Sequence, residues 1–173
     1  SAASDVYKRQ DAQNGTILKT VSIGTSAEDS FAHLGGIIAL DDRFLALGGM
    51  TKGSFSTYYP EFSGSYQGGN TYGDIWIGIY DTANESFAWG TQFGGPGDDS
   101  FGRLEISQDL TTLLLFGYTD GSLDGGGIPG QSGAFLRKIA FPGNIAALFG
   151  TSNHPPTDIT LTSSGITENS VGG

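Results

Sequence analysis

Leu45-Ala46-Leu47-Gly48-Gly49-Met50-Thr51-Lys52-Gly53-Ser54-Phe55 returns 68 residues later as Leu113-Leu114-Leu115-Phe116-Gly117-Tyr118-Thr119-Asp120-Gly121-Ser122-Leu123. Each copy is an apolar run that ends in a Gly-x-Thr-x-Gly-Ser turn, the pattern of a strand leaving a sheet. Upstream, Ile23-Gly24 with Glu28-Asp29-Ser30-Phe31 recurs as Phe93-Gly94 with Asp98-Asp99-Ser100-Phe101, 70 residues on. Downstream, Gly73-Asp74-Ile75-Trp76-Ile77-Gly78-Ile79 aligns with Gly133-Ala134-Phe135-Leu136-Arg137-Lys138-Ile139, at an offset of 60. The first copy therefore carries an insert between its second and third strands, around residues 56–70, rich in Tyr, Ser and Gly.

Read as strands, each unit has four apolar runs: 31–40, 43–50, 75–81 and 86–93, then 101–107, 112–118, 134–141 and 145–149. Thr16 to Ile23 reads as the last strand of a preceding unit. Four short antiparallel strands repeated with Gly and aromatic residues at fixed places predict an all-β fold, a partial β-propeller of four-stranded blades. Trp76, Trp89, Phe31, Phe93 and Phe101 are expected to fill the space between blades. Two blades cannot close a ring, so open edges are expected.

Composition narrows the function classes. The 173 residues suit about one domain and carry a net charge of −10, which argues against nucleic acid or an anionic lipid surface as partner. Cys is absent, which removes disulfides, thiolate metal sites and a cysteine nucleophile. No run is long and apolar enough for a membrane-spanning helix, so direct insertion is not expected. Of the two His, His33 sits in an apolar run and reads as a packed strand residue, and His154, before two prolines, as linker.

The elements Trp89-Gly90-Thr91-Gln92-Phe93-Gly94-Gly95-Pro96-Gly97-Asp98-Asp99, Gly117-Tyr118-Thr119 and Gly133-Ala134-Phe135-Leu136-Arg137-Lys138-Ile139 resemble a bacterial β-propeller repeat family of large secreted and cell-surface proteins. The resemblance spans about residues 16–150 and departs at Ala134, where the family commonly has an Asp that the first copy keeps as Asp74. Pro155-Pro156-Thr157-Asp158-Ile159-Thr160-Leu161 with Ile166-Thr167-Glu168-Asn169 resembles the opening strand of bacterial cadherin-like β-sandwich repeats. That likeness implies calcium-dependent adhesion in the parent protein, with Glu168 the calcium ligand, although the linker's Asn153 and Asp158 do not supply the 6–8 oxygens calcium takes. Asp5-Val6-Tyr7-Lys8-Arg9-Gln10 resembles a translated transposon end used in preparing sequencing libraries. Residues 1–10 are accordingly set aside as non-native, 11–150 are assigned to blades, 151–158 to a linker and 159–173 to a truncated cadherin-like start.

Candidate chemistry is sparse. Gly125-Gly126-Gly127-Ile128-Pro129-Gly130 satisfies the dinucleotide fingerprint in letters only, since no strand precedes it and Pro129 falls where a helix should grow. The acid pairs Glu28-Asp29, Asp41-Asp42 and Asp98-Asp99 invite a calcium or glycosidase reading. The recurrence of Asp29 as Asp99 favours turn residues that bond their own backbone. Tyr58, Tyr59, Tyr66 and Tyr72, with Phe62, cluster in an insert that the repeat does not need. They are the candidate ligand-binding residues, for a glycan or a surface protein, unless the insert folds back to cover a blade edge. The expectation is a non-enzymatic structural, adhesive or recognition scaffold at the bacterial cell surface or outside the cell. Its partners would be neighbouring blades and sandwich repeats, and this segment would carry no cofactor. The competing expectation is a glycan-binding or glycan-active propeller.

Overall fold

The structure, a computed structural model, describes residues 5–11, 13–31, 36–69, 71–121, 123 and 132–149. His33, His154, Glu168, the Gly125–Gly130 run, the linker and the cadherin-like start lie outside the described residues. Among the described residues the chain is all-β with one short α-helix.

Strands β1 (Asp5–Gln10) and β2 (Ile17–Ile23) form an antiparallel hairpin, so the segment set aside as non-native supplies β2's partner. In the next sheet β3 (Asp29–Phe31) and β4 (Ile37–Ala39) pair with successive stretches of β5 (Phe44–Thr51). After the insert, which contributes the two-residue strand β6 (Phe62–Ser63), β7 (Asp74–Asp81) pairs with β5 and β8 (Ser86–Phe93) with β7, all antiparallel. A third sheet runs β9 (Asp99–Ile106), β10 (Thr112–Thr119), β11 (Gly133–Ala140), with β10 in the middle. Helix α1 (Gly143–Phe149) follows.

Period-two alternation sorts the side chains of the middle sheet onto two faces. One face carries Phe44, Ala46 and Met50 from β5 with Ile75, Ile77 and Ile79 from β7; it packs on Phe101, Leu104, Leu113 and Leu115 of the third sheet. Gly48 lies on this face because the ring of Phe101 occupies the space its Cβ would fill. The opposite face carries Leu47, Trp76, Tyr80 and Phe87 and forms a second core with Ile23 of β2 and Phe55 and Phe62 of the insert. Burying a side chain of this kind is worth about 1.5–3 kcal/mol, so both faces hold the sheet in place.

The sheets meet through non-equivalent faces. Leu45 and Leu47, which point away from the third sheet, are the repeat counterparts of Leu113 and Leu115, of which Leu115 and Leu113 point back into the shared core. The counterparts of inward-facing Ala46, Gly48 and Met50 are Leu114, Phe116 and Tyr118, and Phe116 and Tyr118 are exposed, together with Leu136 opposite Phe116. The arrangement is head to tail.

Two expectations are corrected. The run 145–149 is helical, not a fourth strand: the Pro142 carbonyl accepts from the amides of Ile145 and Ala146, and Ile145 is buried in the shared core. The strand register pairs Thr51 with Asp74 but Thr119 with Gly133, so Gly133 rather than Ala134 is the counterpart of Asp74. That one-residue slip exchanges the faces of the whole strand and makes Phe135 the partner of Trp76. Of the aromatics expected between blades, Phe93 and Phe101 lie between the two repeated sheets, while Trp76 and Phe31 lie in the core shared by β2, the middle sheet and the insert.

Candidate functional site

The insert is built around aromatic packing. Phe55, wholly buried, stacks on Trp76 at 4.6 Å with 21° between the planes, and lies 4.9 Å from Phe62 and 5.3 Å from Tyr59. Its amide donates to Gln92 Oε1 at 2.9 Å, and Gln92 Nε2 donates in turn to the Gly53 carbonyl at 2.9 Å. Strand β6 adds to β8 in parallel, which covers that edge of the sheet.

Between the insert and β2 lies an open cleft of about 280 Å³. Its buried base is Tyr80 and Phe87, one side is Val21–Ile23 of β2, the other Tyr58–Glu61 of the insert, and Glu85 and Ser86 complete it. Tyr58 is 47% exposed and offers both ring and hydroxyl. Tyr59 is committed to structure: its hydroxyl accepts from the Gly24 amide at 3.1 Å and donates to the Gly24 carbonyl at 3.2 Å, while its ring meets Phe87 edge-on at 5.1 Å. Glu85 adopts a left-handed backbone (φ 56°) and pairs with Lys19 at 2.5 Å.

The four tyrosines singled out from sequence do not converge. Tyr58 and Tyr59 line the cleft. Tyr66 donates its hydroxyl to the Gly69 carbonyl at 2.6 Å, and burial followed by the charge of Asp74 raises its pKa. Tyr72 is exposed, with its amide held by Asp98 Oδ1 at 3.1 Å. Glu61 and Glu85 were not singled out from sequence; only the fold brings them to one cleft, 24 positions apart in a chain with many solvent-facing acids. Ring faces, two carboxylates and the Ser22 and Ser86 hydroxyls equip this cleft to stack on and hydrogen-bond a polar ligand.

Elsewhere, turn carboxylates hold backbone. Asp29 Oδ2 accepts from the Thr25 amide at 2.6 Å, and Asp99 Oδ2 from the Gly95 amide, also at 2.6 Å. Among the described residues no group of three or more His, Cys, Asp or Glu is placed to hold a metal ion, and no helix is long and apolar enough to cross a membrane. No protein-family model and no curated protein matches this sequence.

Proposed function

We propose that the chain is a section of a β-propeller array in a large bacterial secreted or cell-surface protein, acting as a structural and recognition scaffold without catalysis. The observation that carries this reading is the head-to-tail contact: a face of one copy meets the opposite face of the next, and the outgoing face of the second copy presents Phe116, Tyr118 and Leu136 to solvent. A heterologous contact of this kind repeats until it closes. The occupant of the open face is a further sheet of the same repeat, and the acidic, cysteine-free composition suits an extracellular scaffold. The cadherin-like reading of residues 159–173, with Glu168 as a calcium ligand, belongs to the same proposal. A melting temperature unchanged between calcium and chelator would remove the calcium part.

Inserting a copy of residues 82–140 directly after Ala140 supplies a fourth strand beside β11 and a third sheet. Phe116→Gly in the resident copy leaves room for the incoming Phe101 ring, as Gly48 does in the first. Tyr118 and Leu136 should then become protected in hydroxyl-radical footprinting within a single cooperative melt. Unchanged labelling of both residues would refute the array.

A second reading, glycan binding, is favoured by the cleft's exposed Tyr58 beside Glu61. Binding on a glycan panel that is lost in Tyr58→Ala would support it, and no binding across the panel would leave the scaffold alone.

A further inference from the structure

Asp74 opens β7 of the middle sheet and Asp99 opens β9 of the third, and both are wholly buried. The junction is tight, because the Asp99 amide donates to the Gly73 carbonyl at 2.9 Å. Both carboxylates close on Gly94 in the connection between the sheets: a Cβ there would stand 2.6 Å from Asp74 Oδ1 and 2.7 Å from Asp99 Oδ2. Asp74 Oδ2 accepts from the Gln67 amide at 2.7 Å and Gln92 Nε2 at 3.3 Å, while Asp74 Oδ1 has no hydrogen-bond partner among the described residues. Tyr66 from the insert and Asp99 from β9 are the titratable groups that act on Asp74; Lys52, from the turn after β5, is turned to Glu28 at 2.7 Å.

In the first copy hydroxyls hold the equivalent carboxylate. Asp29, the counterpart of Asp99, accepts from the hydroxyls of Thr51 at 2.6 Å and Thr25 at 3.2 Å. Gly95 stands where Thr25 stands, so one hydroxyl donor is gone from the second copy. The fold brings the carboxyl of Asp74 to the same glycine, Gly94.

We infer that Asp74 and Asp99 share one proton, with Asp74 Oδ1 as the donor, and that this carboxylic acid–carboxylate hydrogen bond fastens one sheet to the next and loosens when the proton leaves. Two carboxylates confined together out of water do not both ionise readily, and a hydrogen bond to an ionised acceptor is among the strong ones. Burial, and then the charge of Asp99, pushes the Asp74 carboxyl up to about 6 against the donors from Gln67, Gln92 and Gly68. The described residues bring no third carboxylate or imidazole to make this a cation site, and calcium takes six to eight oxygens.

The test uses the full chain. Urea unfolding at pH 5 and pH 8 should show the Asp74 contribution to the unfolding equilibrium constant rising about tenfold between the two, because the folded state holds a proton there that the unfolded state has released. Asp74→Asn carries a permanent N–H donor and should cancel that rise, so its stability relative to wild type improves from pH 5 to pH 8. In carbon-detected NMR the Asp74 carboxyl should titrate near pH 6 in the wild type and shift in Asp99→Asn. An Asp74→Asn effect equal at both pH values, or an Asp74 carboxyl that titrates below pH 4, would overturn the shared proton. So would a calcium-induced rise in melting temperature that Asp74→Asn abolishes, which would give the pair to a cation.

Discussion

Phe55→Ala tests whether the insert is a packed cover or a free binding loop. The Phe55 ring is wholly enclosed and stacked on Trp76, with Phe62 and Tyr59 on its other sides. Removing it leaves a hole walled by large rings that are themselves anchored, so the site collapses poorly. The cost should fall in the range of about 3–5 kcal/mol measured for buried Phe→Ala changes. For a chain of this size each kcal/mol moves the melting temperature by roughly 2–4 °C, giving a fall of about 6–20 °C. Urea titration followed by tryptophan fluorescence reads the change directly, because Trp76 lies against the lost ring. Tyr72→Ala, in the same insert but 52% exposed, is the matched control and should stay within about 0.5 kcal/mol of wild type. A Phe55→Ala variant as stable as that control would refute the docked insert and return the segment to the status of a mobile loop.

Two further perturbations follow from the polar contacts. Asp81 accepts from Arg43 Nε at 2.8 Å and Nη2 at 2.5 Å, and this fork, helped by the Ala83 and Asn84 amides, holds its carboxyl at about 2. A folded pKa below the unfolded one stabilises above the unfolded value and loses that stabilisation as pH falls. The stability gap between wild type and Asp81→Asn should therefore be full at pH 5 and close as pH approaches 2; a gap independent of pH would contradict the pairing. Gln92→Leu keeps the volume but strips the Phe55 amide and the Gly53 carbonyl of their partner, and should cost about 2–4 kcal/mol in urea unfolding, against an expectation near zero if those groups reach water.

The repeated strand and turn at Leu45–Phe55 and Leu113–Leu123 were legible because alternation and Gly-x-Thr-x-Gly-Ser turns act locally. What escaped the sequence depended on contacts between distant segments. Ile145-Ala146-Ala147-Leu148-Phe149 is a short apolar run compatible with either period, and the hydrogen bonds from the Ile145 and Ala146 amides to the Pro142 carbonyl separate helix from strand. Aligning Gly73 with Gly133 looked natural by letter, yet hydrogen-bond register follows the turn geometry and moved the match by one residue. Phe55 read as the end of a repeat, whereas it anchors the insert. Tyr58 and Tyr59 were visible as neighbours, but nothing in the sequence separates the exposed ring from the one whose hydroxyl is spent on Gly24.

The claim on which the rest depends is that the two repeated sheets lie against each other, outgoing face to incoming face. The most direct measurement is a nuclear Overhauser contact between the Gly48 α protons and the Phe101 ring, which the structure seats over Gly48. A strong cross-peak, with the Gly48 α protons displaced by the ring current, is the expected result. A Phe101 ring with no contact to Gly48 and the line widths of a solvent-exposed side chain would contradict it.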